Sequence, residues 1–178
     1  KTYILKNYPN SDYANYIKDP NYFTKKKEDD LKLCRIVAGY AWEWKSDPKK
    51  KAPTPDATDI EIEGFQFQWN QTDKDWINNP KDPKNPLKEI GCIHTVQGYD
   101  LNYTGVIFGN EIDYNSNTNK IEIDSKKYYD KYGRLGTNDE ELKSYIINIY
   151  KTIMYRGIRG TFIYACNSGL REYLKMHI

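Results

Sequence analysis

Short apolar, β-branched runs set beside one long amphipathic stripe predict an α/β domain, three layers built on a mostly parallel sheet. Three observations carry this. Residues 34–40, 90–96, 103–108 and 161–166 form brief apolar runs, the length and composition of buried strands. Leu142, Ile146, Ile149 and Ile153 recur at spacings of four, three and four, one face of a helix. Strand-like segments are separated by helix-like ones, the order that crossover connections give.

Taken in order, residues 1–31 are polar and rich in Tyr and Asn, with Pro9 and Pro20 as breakers. A short helix fits residues 12–17, and the KKKEDD run after it reads as a solvated connector. The first strong strand lies in LKLCRIVAGYAWEW. SDPKKKAPTPDATD then reads as a loop, because three prolines cannot hold a ladder. IEIEGFQFQW alternates with period two through Ile60, Ile62, Phe65, Phe67 and Trp69, which predicts a half-exposed strand or hairpin with Gly64 at a bulge or turn. Residues 78–87 carry three more prolines and are again loop. Two buried strands, 90–96 and 103–108, flank the polar turn QGYDLN.

Residues 111–131 are weakly patterned, with IEID as an edge hairpin. Thr137 and Glu140 have the spacing of a capping box, ahead of a helix running to about Arg156. Gly157 and Gly160 end that helix, residues 161–166 form a strand, and residues 170–176 a closing helix.

The chain has 178 residues, the size of one domain. Mean hydropathy is −0.89, which is polar, yet 17 Tyr, 4 Trp and 5 Phe are enough to build a core and argue against general disorder. No apolar run approaches the roughly 20 residues that cross a bilayer, and KTYILKNYPN lacks the features of a signal peptide. A net charge of +2 is far from the basicity of a nucleic-acid coat protein. Cys34, Cys92 and Cys166 are odd in number and widely spaced, so they read as reduced thiols of a cytoplasmic protein. With His94 and His177 the only imidazoles, a multi-histidine metal centre is excluded and no metal site is expected. The absence of an initiator Met suggests a piece of a longer protein. The enrichment in Lys, Asn, Ile and Tyr suggests an AT-rich bacterial genome.

Two places carry candidate chemistry. In IGCIHTVQGYDLNYTGVIFG, residues His94, Thr95, Gln97, Gly98 and Asp100 crowd a turn at what reads as a strand's carboxyl end, where open α/β sheets bind ligands. Gly98 lets the backbone approach a phosphate, Thr95 offers a hydroxyl, and Gln97 can orient a water or an amide. The same residues also suit a plain polar turn capping two strands. In IMYRGIRGTFIYA, Arg156 stands at a helix end with Gly157 behind it, and its planar charged fork suits terminal phosphates. It also suits a cation that complements the helix dipole. Arg159 is the competing candidate for that role and fits a surface charge better.

HTVQGYDLNYTGVIF resembles the fifth motif of superfamily-one helicases, and YKTIMYRGIRGTFIYA resembles the sixth. RIVAGYAWEW, FQFQWN and TFIYACNSGLREYL bring the chain closest to the Schlafen-like DNA/RNA helicase-domain family, over about residues 32–174. The resemblance implies a RecA-like lobe of a nucleic-acid-dependent ATPase. It casts Arg156 as an arginine finger, sets Gln97, Gly98 and Gly157 at the nucleotide, and places His94 and Thr95 near the cleft or a nucleic-acid phosphate. No GxxxxGK[ST] and no Mg²⁺-holding acidic pair occur. ATP and Mg²⁺ would therefore be held mainly by an upstream lobe, with none bound by this chain alone. Residues 32–178 read as the C-terminal lobe and residues 1–31 as the segment continuing from that upstream partner.

Two further readings remain open here. One is a module for single-stranded DNA or RNA, in which Trp42, Trp44, Trp69 and Trp76 stack bases beside the lysine-rich loops at 49–51 and 74–84. For Trp42 and Trp69, a place in the core fits better. The other is a degenerate lobe kept as a protein scaffold.

Overall fold

A computed structural model describes residues 33–47, 49, 57–72, 74–78 and 87–177. The helix expected at 12–17, the KKKEDD connector and most of the proline-rich loops lie outside the described residues.

The elements are β1 (Cys34–Ala38), β2 (Ile60–Ile62), β3 (Phe65–Trp69), β4 (Glu89–Gly91), β5 (Leu101–Phe108), β6 (Ile112–Asn115), β7 (Lys120–Ile123), α1 (Asp139–Met154), β8 (Gly157–Ala165) and α2 (Ser168–His177). Six strands form one sheet in the order β2-β3-β4-β1-β5-β8, parallel throughout except for the β2–β3 pair. The α/β class and the mostly parallel sheet are as the sequence predicts.

Alternation along the strands divides the core in two. On one face Val37, Val106, Phe108 and Ala165 pack against Leu142, Ile146, Tyr150 and Ile153 of α1 and Leu170 of α2. On the other face Ala38, Ile90 and Ile107 pack against Ile60 and Trp69, with Ile62 and Phe67 at the margin. That second cluster draws on no helical residue. The sheet curls so that its own β2–β3 hairpin covers it, and the expected third layer is not among the described residues. Glu63 and Gly64, both at positive φ, make the hairpin turn. Across the sheet, Glu63 accepts a hydrogen bond from the Tyr164 hydroxyl at 3.2 Å.

Several boundaries differ from the sequence reading, and three of them have a clear local reason. β4 ends at Gly91 because the Thr95 hydroxyl accepts from the Cys92 N–H at 2.8 Å and donates to the Cys92 carbonyl at 2.9 Å, closing a turn where a strand was expected. β8 begins at Gly157 because the long β5 supplies its ladder from Leu101 onward, so both glycines are inside the strand. The helix cap is Asn138, one residue later than expected: its side chain accepts from the Glu141 N–H while Glu141 reaches back to the Asn138 N–H. The inner face of α1 uses Tyr150 in place of the half-buried Ile149.

Asn138→Ala should cost about 1 kcal/mol, because it strips α1 of half its capping box. Urea denaturation checks this, and a variant as stable as the parent would show that the cap contributes nothing.

A candidate site divided between two sheet edges

β4, β1, β5 and β8 run parallel, so their amino ends share one edge and their carboxyl ends the other. The polar turn connects the two. It leaves the carboxyl end of β4 at Cys92, buries Val96 against the helical-face core, and enters the amino end of β5 at Leu101. His94 and Thr95 therefore belong to the carboxyl half, whereas Gln97, Gly98 and Asp100 lead into the amino edge. Placing all five at a strand's carboxyl end is corrected on this point: the crossover is so short that its second half is already at the opposite edge.

At the amino edge the Leu101 N–H donates to the Arg156 carbonyl at 2.8 Å, and Leu101 pairs with Gly157 in the β5–β8 ladder. This brings the two candidate motifs together. Gly98 has φ +84 and nothing within 4 Å of where a side chain would start, so its backbone borders open space. Gln97 is exposed. Arg156 follows α1 by two residues and is half-buried, and its Nε is buried with no hydrogen-bond partner among the described residues. Its place past the helix suits the dipole as well, but no described group takes that N–H. Gly157 has a structural reason of its own, since a Cβ there would lie 2.3 Å from the Gly160 carbonyl oxygen.

At the carboxyl edge Tyr40 is central. Its ring lies 6.2 Å from that of His94, 6.2 Å from Tyr128 and 4.8 Å from Trp69, and its hydroxyl donates to the Cys92 sulfur at 3.6 Å. Burial, then the neighbouring Cys92, pushes the Tyr40 hydroxyl up, so it stays protonated. The Thr95 hydroxyl is engaged with Cys92 as described above, which makes the residue a turn-former first.

Trp44 is half-buried and packs edge-on against Trp69 at 5.9 Å. Trp69 and Trp76 are each 1% exposed and belong to the core, so base stacking by Trp76 is ruled out in this fold. The loop carrying Trp44 is held by buried Asp59, whose carboxylate accepts from the N–H groups of Lys45 at 2.8 Å, Ser46 at 2.9 Å and Trp69 at 2.9 Å, and from the Ser46 hydroxyl. Asp59→Ala should strand these donors, cost about 3 kcal/mol, and shift tryptophan emission to the red as Trp44 loosens. Parent-like emission and stability would contradict the clasp.

Sequence reasoning missed a buried acid beyond β5. Glu111 is 1% exposed and accepts from the Tyr150 hydroxyl, which in turn accepts from the Gly109 N–H at 3.0 Å. Burial raises the Glu111 carboxyl to about 7, and burial followed by the Glu111 charge pushes the Cys166 thiol up to about 11. An acid directly after an apolar strand, in VIFGNE, was the available signal, and it is weak. Among the described residues no cluster of three metal-ligating side chains occurs, and no helix is long and apolar enough to cross a membrane.

The model of the Schlafen group 3 DNA/RNA helicase domain family matches residues 17–167. The chain belongs to that family. A relative, the uncharacterized protein YPL245W of Saccharomyces cerevisiae, is 29% identical over 158 residues, covering 84% of this chain and 33% of its own length. The chain thus spans about a third of that relative. As the relative is a yeast protein, the expectation of a bacterial source draws no support from it. No solved structure matches the chain. The family is that of a DNA/RNA helicase domain, in keeping with the helicase-like stretches around Gln97 and Arg156.

Proposed function

We propose that the chain is the C-terminal RecA-like lobe of a helicase-like ATPase that depends on nucleic acid, working with an upstream lobe that grips ATP and Mg²⁺. One observation supports this above the rest: the hydrogen bond from Leu101 to Arg156 brings the second half of one helicase-like motif to the same edge as the arginine of the other. ATP would lie against that edge, with Gln97 and the open side of Gly98 toward its phosphates.

Hydrolysis is attack of water on the γ-phosphorus with departure of ADP. The task of Arg156 is to stabilise charge on the transferring phosphoryl group, a task its planar fork suits. The buried Nε without a described acceptor fits a guanidinium held ready for an anion. Nucleic acid would cross the other edge, over His94, Thr95 and Trp44.

The test is ATP turnover by a polypeptide containing both lobes beside this chain alone. Hydrolysis by this chain alone would overturn the division of labour.

A further inference from the structure

Between β7 and α1 the chain reads KKYYDKYGR, residues 126–134, four cations and three tyrosines with a single acid. Its fold sorts these residues. Tyr128 is 3% exposed and anchors the segment in the helical-face core, while Tyr129 is 49% and Tyr132 86% exposed. The acid is engaged by its own turn, where the half-buried Asp130 carboxylate accepts the N–H groups of Tyr132 at 3.0 Å and Gly133 at 2.9 Å. Lys126, Lys127 and Lys131 are exposed, with Lys127 also 3.2 Å from Asp124. The segment is fixed to the carboxyl edge by the Tyr129 N–H, which donates to the Tyr40 carbonyl at 2.7 Å, and the ring of Tyr40 is flanked by His94 and Tyr128.

We propose that residues 126–134 are a binding site for single-stranded nucleic acid, with Tyr129 and Tyr132 stacking on unpaired bases and Lys126, Lys127 and Lys131 facing phosphates. Exposed rings interleaved with lysines, on a turn whose one carboxylate is already satisfied, are what a strand of unpaired bases needs: π-faces at intervals and positive charge between them. A duplex hides its base faces and offers the rings nothing. The site lies outside both helicase-like motifs and extends the surface of His94 and Trp44. It rests on the nucleic-acid part of the function proposed above and is independent of the nucleotide edge.

The test is fluorescence anisotropy of the intact polypeptide with labelled oligo(dT) and oligo(U) of about 16 nucleotides. The double variant Tyr129→Ala/Tyr132→Ala should bind about tenfold more weakly or worse, and Tyr129→Phe/Tyr132→Phe should bind like the parent, since the rings remain. Lys126→Ala/Lys127→Ala/Lys131→Ala should flatten the logarithmic salt dependence by about 2. Both tyrosines lie outside the core, so thermal melts should match the parent.

Unchanged affinity in the double alanine variant overturns the site. A loss confined to Trp44→Ala does the same while leaving the broader nucleic-acid reading standing. Absence of binding by the parent to either oligonucleotide overturns both.

Discussion

If Arg156 is the finger proposed above, Arg156→Ala should lower ATP turnover of a polypeptide that contains both proposed lobes by about 10³- to 10⁵-fold, the range that finger arginines contribute in phosphoryl transfer. The loss falls on the transition state, so the affinity for ADP should stay near the parent value while the ADP–aluminium fluoride complex loosens. Arg156→Lys should recover little, because a point charge lacks the bidentate fork. Folding should be nearly unaffected: the residue lies past α1, and its carbonyl, which joins the two motifs, is backbone and survives the substitution. Near-parent turnover in the alanine variant would remove Arg156 from the reaction. Arg159, three residues on and exposed, is the internal control and should tolerate the same change.

The second large effect is on stability and depends on pH. The Glu111 carboxyl is raised by burial from an ordinary 4.5 to about 7, so the folded state holds a proton that the unfolded chain releases. The stabilisation is fully present below about 4.5 and is lost as pH rises toward 7, after which the curve is flat. Across that window Glu111 alone should remove about 3 kcal/mol. Glu111→Gln keeps the shape, removes the charge, and should abolish this fall, leaving the variant more stable than the parent above pH 7. Denaturant melts at several pH values check it. An equal slope in parent and variant would show that the buried acid is not the source.

The fold was legible where one pattern had one physical cause. Leu142, Ile146 and Ile153 sit on the inner face of α1 because helical periodicity leaves them nowhere else to go. The alternation of Ile60, Ile62, Phe65 and Phe67 allowed a single strand or a hairpin, and the structure takes the hairpin, β2–β3, with Gly64 at its turn. Legibility failed where a side chain acts on its own backbone or on a distant partner. Thr95 looks like a strand residue until its hydroxyl is seen closing the turn at Cys92. Curling of the hairpin across the sheet depends on contacts such as Glu63 with Tyr164, about a hundred residues apart, which no local window contains.

The candidate site shows the same division. Sequence order alone could not say that Gln97 and Gly98 share an edge with Arg156 and leave His94 behind, because that follows from the direction of β5 and β8. The tyrosines at 128–132 lay in a stretch without periodicity, and only their unequal burial separates one anchor from two exposed rings.

The most direct test of the central claim is steady-state ATP hydrolysis by a polypeptide that contains this chain and the proposed upstream lobe, measured without polymer and with single-stranded DNA or RNA. Turnover that rises on adding the single strand is the expected result. A folded protein that hydrolyses no ATP, or hydrolyses it at one rate whether or not nucleic acid is present, would contradict the account.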